Sequence, residues 1–231
     1  MLAQTSHPAG PGLVAGPFLA FEALIVLRAR QYVDFPQTSA RFAPCRLDFL
    51  AEESVQGALD IIESLAAKHR DVKFIVGRKE DWDEPFWAPQ SLKDYCADAL
   101  TRLSRLGNVQ FVSRFEAQVD YWRFLSEIDI AFSCSYHETF GIAMLEKAYA
   151  GAACVVPNTV AYPEVHSGAV LVDHFQIASA VDRLIREPEF RTQVAHRSQQ
   201  NASKYGVSRT VEKLAEVVGG SQRHIATAAS Q

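Results

Sequence analysis

Between positions 46 and 219, short apolar segments alternate with amphipathic stretches of ten or more residues. Few folds accept that pattern. Positions 55–68 put Val55, Leu59, Ile62 and Leu65 on one helical face, and the apolar run 72–76 comes next. Positions 93–106 repeat the helical spacing through Tyr95, Ala99, Leu100 and Leu103; Gly107 and Asn108 stop that helix, and 109–112 alternates as a strand. The same reading gives a helix over 119–126, a strand over 130–134, a helix over 141–150 and strands over 153–156 and 169–172. Helices over 178–186, 189–204 and 210–218 complete it. Short strands joined by long helices require parallel crossovers, so the expected fold is α/β, a Rossmann-like doubly wound parallel sheet. In such sheets ligands bind at the carboxyl ends of the strands.

The flanks differ from this middle. Residues 1–45 hold half of the ten prolines in a fifth of the chain, a sign of irregular structure. The end, 220–231, is small and polar and is expected to be a flexible tail. The organisation is therefore an irregular remnant over 1–45, a folded domain over 46–219 and a tail. A formal net charge of -4 argues against a stand-alone nucleic-acid binder. Four cysteines (Cys45, Cys96, Cys134, Cys154) form no Cys-x-x-Cys pair, so small apolar core roles and a reducing cytoplasm are expected. The start of the chain lacks a basic signal-peptide region, and the apolar run 13–27 is broken by Gly16, Pro17 and Glu22. A cytoplasmic protein without a membrane span is the expectation.

One strand end carries the chemistry, in Ser135-Tyr-His-Glu-Thr-Phe-Gly-Ile-Ala-Met-Leu-Glu146. Gly141 sits where a helix begins, so free backbone amides and the positive end of the helix dipole meet at the carboxyl edge of the sheet, which suits a phosphate. Lacking a Cβ, Gly141 is expected to let a diphosphate approach the backbone closely. Glu138 precedes the helix, and Glu146 lies about one and a half turns inside it. A carboxylate accepts two hydroxyls at once, as holding a sugar or ribose diol requires. The alternative for this pair is that Glu138 caps the helix and Glu146 is a solvated helix residue. His137 is either a ligand-facing imidazole or a turn residue. His69, His166, His174 and His196 show no metal spacing and are expected at the surface.

His-Glu-Thr-Phe-Gly-Ile-Ala-Met-Leu-Glu, then Ala-Gly-Ala-Ala-Cys-Val-Val-Pro, then Pro163-Glu164-Val165 resembles the donor-binding C-terminal half of family-4-type retaining glycosyltransferases of GT-B architecture. The resemblance implies transfer of a sugar from a nucleotide-diphosphate sugar to an acceptor hydroxyl with retention, by a hexosyltransferase that needs no metal. It implies that Glu146 holds the ribose hydroxyls and Glu138, with His137 beside it, serves the transferred sugar. Phe140, Gly141 and Ile142 would bind the diphosphate through backbone amides. Arg46 matches the family's arginine at the end of the first strand. The lysine expected about five residues later falls among the acidic stretch 51–54; Arg78 with Lys79 either substitutes for it or forms a solvated loop pair. Tyr121-Trp122, His137-Glu138, Met144-Leu145-Glu146 and Tyr162-Pro163-Glu164 further resemble the tRNA-queuosine mannosyltransferase branch, for which the acceptor would be tRNA.

A GT-B enzyme has two Rossmann-like domains of roughly 150–200 residues each, and this chain accommodates one. That leaves two alternatives: a truncated, non-catalytic nucleotide-sugar-binding or scaffold domain, or a half-enzyme completed by a partner chain that supplies the acceptor domain. Trp82, Phe86 and Trp87 form an acidic aromatic loop, either a lid on the core or a sugar-stacking platform. No Gly-x-Ser-x-Gly elbow, P-loop or Gly-x-Gly-x-x-Gly fingerprint occurs.

Overall fold

The computed structural model describes residues 52–77, 89–112, 115 and 117–206. The expected helix over 210–218, the tail and the segment 1–45 lie outside the described residues. In chain order the elements are α1 (Glu52–Lys68), β1 (Phe74–Gly77), α2 (Gln90–Ser104), β2 (Val109–Val112), α3 (Gln118–Leu125), β3 (Ile130–Phe132), α4 (Ile142–Ala150), β4 (Ala153–Pro157), α5 (Tyr162–Val165), β5 (Val170–Val172), α6 (Ile177–Arg186) and α7 (Pro188–Ala202). Every strand pairing is parallel. One sheet has the order β1-β2, the other β3-β4-β5. Phe74 lies opposite Val109, Ile130 opposite Ala153, and Val155 opposite Val170.

Strand alternation builds two cores, one on each face. Phe74, Val76, Ile130, Phe132, Ala153 and Val155 share one core with α1, α2 and α6. Ile75, Ala131, Cys154 and Val156 point the other way, into a core with α3, α4 and α5. Successive side chains on a strand must take opposite faces, so runs apolar at every position can be satisfied only by helices on both sides. This is the doubly wound arrangement. The helices supply matching stripes: Val55, Leu59, Ile62 and Ala66 on α1, Leu92, Cys96, Ala99 and Leu103 on α2, Ile177, Val181 and Leu184 on α6. Truncating one of these, such as fully buried Ile62, to alanine costs about 2–5 kcal/mol. Cys96, Cys134 and Cys154 are buried free thiols, in the core roles expected of them.

The amino rim of the strands is tied internally. Asn108, just before β2, donates from Nδ2 to the carbonyls of Ala66, His69 and Val72 at 3.1, 2.9 and 3.0 Å. Beside it, Asp182 of α6 accepts from Lys68 at 2.7 Å, His69 at 2.6 Å and Arg186 at 2.8 Å. Burial alone would raise the Asp182 carboxyl, but hydrogen bonds from Lys68, His69 and Arg186 outweigh it and hold the group well below the usual carboxylate range. Among the described residues, no helix is long and apolar enough to cross a membrane.

Candidate functional site

The carboxyl rim is built differently. After β3 the backbone stays against β4 for one more residue, Ser133 N donating to the Val155 carbonyl at 3.0 Å, and then turns through residues 134–141 into α4. Gly141 occupies the N-cap position with φ 70° and ψ 44°, and no side chain caps the helix. The Gly141 carbonyl accepts the Leu145 amide at 3.0 Å, which starts the helical ladder. The amides of Ile142, Ala143 and Met144 therefore have no partner inside the helix, and the positive end of its dipole is left bare.

The reason for a glycine here differs from the expectation. A Cβ on Gly141 would stand 2.6 Å from His166 Nε2 and 3.1 Å from Tyr162 Cε1. The space expected for an approaching diphosphate on the Cβ side is filled by the His166 ring. Left-handed φ and this contact together require glycine at this buried position.

Two carboxylates flank this turn. Glu138, half-buried, accepts the amides of Thr139 at 3.0 Å and Phe140 at 3.3 Å. It caps its own loop rather than helix α4. Of the three expected anion donors, the Phe140 amide is engaged by Glu138 here; Gly141 and Ile142 are the other two. Glu146, also half-buried, accepts the Tyr121 hydroxyl of α3 at 2.7 Å, so it is not a solvated helix residue. His137 is exposed, as are the side chains of Phe140 and Ile142. Arg46, Arg78, Lys79 and the aromatic loop of Trp82, Phe86 and Trp87 lie outside the described residues.

Of the four histidines expected at the surface, His196 is exposed, His69 and His174 are half-buried, and His166 is buried. His69 binds Asp182 on the amino rim. His174 lies in the 3-10 turn His174–Gln176 after β5; its Nε2 is 3.4 Å from the Ser135 carbonyl, and its ring stacks on Tyr136 at 3.6 Å. His166 is 2% exposed. Its Nε2 lies 3.2 Å from the Phe140 carbonyl, and its ring meets Tyr162 edge-on at 5.3 Å. Burial pushes the His166 imidazole below its ordinary value, against the opposing pull of the Phe140 carbonyl and the Glu138 carboxylate. Burial thus favours the neutral ring.

Tyr162 completes the support. Its hydroxyl donates to Ser133 Oγ at 2.8 Å, which joins the end of β3 to α5. The Pro163-Glu164 turn expected here is this one-turn helix. Asn201 and Ser198 of α7 fasten the end of α5 and the loop beyond it, the former by donating to the Val165 carbonyl at 2.6 Å and the latter to the Gly168 carbonyl at 3.4 Å. Tyr162 and His166, four apart, meet the same turn from one side; that spacing was the available signal for His166. Between β4 and α5, exposed Val160 holds φ 50°, a strained conformation for a β-branched residue.

Residues 48–202 match the family model described as glycosyl transferases group 1. Over 63 residues the chain is 40% identical to the tRNA-queuosine alpha-mannosyltransferase of Drosophila melanogaster, covering 27% of this chain and 16% of that protein. Among solved structures it is similar to the α,α-trehalose 6-phosphate synthase of Burkholderia multivorans, with a TM-score of 0.59 at 15% identity over 80% of this chain and 42% of that one. The C-terminal domain of the group 1 glycosyl transferase LpcC of Francisella tularensis gives 0.54 at 20% identity, over 69% of this chain and 83% of that domain. The sucrose-phosphate synthase of Thermosynechococcus elongatus gives 0.53 at 15% identity over 77% and 43%. The chain thus spans less than half of the two synthases but matches most of an isolated C-terminal domain. Two thirds of its length fitting one family, the chain belongs to the group 1 glycosyl transferases, with the Rossmann-like fold of a GT-B C-terminal half.

Proposed function

We propose that this domain binds a nucleotide-diphosphate sugar at the head of α4 and provides the donor half of a retaining glycosyltransferase. The observation that carries the proposal is the uncapped start of α4 behind a left-handed Gly141, between Glu138 and Glu146. In the transfer, the bond from the anomeric carbon to the diphosphate breaks. One to the acceptor oxygen forms on the same face of the sugar, and the proton of the acceptor hydroxyl passes to the departing diphosphate. Negative charge grows on the departing phosphate, and fixed amides with a helix dipole stabilise it without having to reorganise. No metal is required on this account. Glu146, steadied by Tyr121, would take the ribose hydroxyls, and Glu138, next to His137, the hydroxyls of the transferred sugar. Arg46 and Arg78 are the proposed source of positive charge on the phosphates. The acceptor-binding half would come from outside the folded domain.

The match to a mannosyltransferase makes mannosyl donors the first to test, with tRNA as the corresponding acceptor. Calorimetry of the full chain with GDP-mannose and UDP-glucose is expected to give binding to at least one. Glu146→Gln should weaken that binding roughly tenfold or more, since it removes a charge-assisted pair of hydrogen bonds. Glu138→Gln should mainly slow release of the nucleoside diphosphate from the donor. Parent-like behaviour in both variants contradicts these roles. Absence of heat with every donor would point instead to a non-catalytic scaffold.

A further inference from the structure

Phe140 is held on both sides. Its amide is donated to Glu138 Oε1 at 3.3 Å, and its carbonyl lies 3.2 Å from His166 Nε2. A carbonyl can only accept, so the proton of the neutral ring sits on Nε2. In a trans peptide the carbonyl and the next N–H point in opposite directions. Turning the Phe140 carbonyl inward to His166 therefore turns the Gly141 N–H outward, away from the ring. We infer that His166 is a positioning residue for the donor: by taking the Phe140 carbonyl it aims the Gly141 amide at the diphosphate. This rests on the proposed function, in which the head of α4 takes that group.

The imidazole is itself fixed. It is 2% exposed and packs edge-on to Tyr162, while the residue's backbone donates its amide to the Tyr162 carbonyl at 2.8 Å and accepts the Ala169 amide on its carbonyl at 2.9 Å. Tyr162 is anchored in turn to Ser133 at the end of β3. The orientation of one peptide at the rim is thereby set from the sheet, through side chains that never touch the ligand. Without the His166 donor, the Phe140–Gly141 peptide is free to flip, and a flipped peptide presents a carbonyl to an anion.

The test measures binding of GDP and UDP, and of guanosine and uridine, to the full chain and to three variants. His166→Leu and His166→Met remove the donor; His166→Gln keeps an N–H that can reach the carbonyl. The parent should bind one nucleoside diphosphate more tightly than its nucleoside. His166→Leu and His166→Met should lose about tenfold or more on the diphosphate and nothing on the nucleoside, and His166→Gln should recover most of the loss. Parent-like diphosphate affinity in the Leu or Met variant overturns the inference and leaves the proposed function standing. A parent that does not distinguish diphosphate from nucleoside overturns both. Independently of whether the variants fold, 15N shifts of the parent's His166 ring should place its proton on Nε2, and a proton on Nδ1 alone overturns the inference.

Discussion

The amino and carboxyl ends of the strands solve opposite problems. At the amino rim, polar groups engage one another: Asn108 Nδ2 reaches three carbonyls, though its Oδ1 is buried with no partner among the described residues, and Asp182 gathers Lys68, His69 and Arg186. At the carboxyl rim the sequence leaves groups unspent and holds them there. Helix α4 starts uncapped, Gly141 and Val160 sit at positive φ, and Phe140, Ile142, Val160 and Phe175 expose apolar side chains. Beneath that rim lies a buried polar layer of Ser133, Tyr162 and His166 that fixes the backbone without covering it. Bonds close at the amino end of the strands, and the positive φ of Gly141 and Val160 is kept at the carboxyl end.

If the rims are separable, a change at one should leave the property of the other intact. The largest effect is expected from Gly141→Ala. A Cβ at 2.6 Å from His166 Nε2, added to a left-handed backbone, should abolish nucleoside diphosphate binding by calorimetry and cost about 1–3 kcal/mol in stability. A variant that binds normally would mean the turn adapts freely, and the account of the rim would fail. Asp182→Asn is the converse. Its loss of charged hydrogen bonds should cost about 1.5–3 kcal/mol in urea unfolding, with diphosphate affinity unchanged. Coupled loss of affinity would show that the rims are one unit.

A smaller effect comes from pH. The His166 imidazole is held below its ordinary value by burial, while in the unfolded chain it takes up a proton near the usual 6.5. The unfolded state then binds more protons, so the stabilising contribution is full above that value and shrinks as pH falls below it. Replacing His166 by Gln should flatten the stability slope as pH falls below about 6.5. His174, lowered by burial as well, limits how much of the slope disappears.

The alternating apolar pattern is enough to place most described elements, because buried strands and amphipathic helices each impose their own period on the residues. The Gly141 turn was legible for the same reason, since a glycine at a strand-to-helix junction has few other uses. What the pattern could not show was the second layer. His166 offers only its spacing from Tyr162; its burial comes with the Gly141 turn packed on its ring, where a Cβ would stand 2.6 Å from Nε2. Likewise the Tyr121–Glu146 bond joins residues 25 apart on two helices, and no local period signals it. Long-range side-chain pairing is a property of the folded layers, not of spacing.

The central claim is that the head of α4 grips a diphosphate through backbone amides. Amide 15N–1H shifts of the labelled full chain, titrated with GDP and UDP, test it most directly. The account predicts that the Gly141 and Ile142 resonances move the most with at least one of them, while Asn108 and Asp182 on the far rim stay still. Saturable binding that leaves the Gly141 and Ile142 amides unmoved would contradict it.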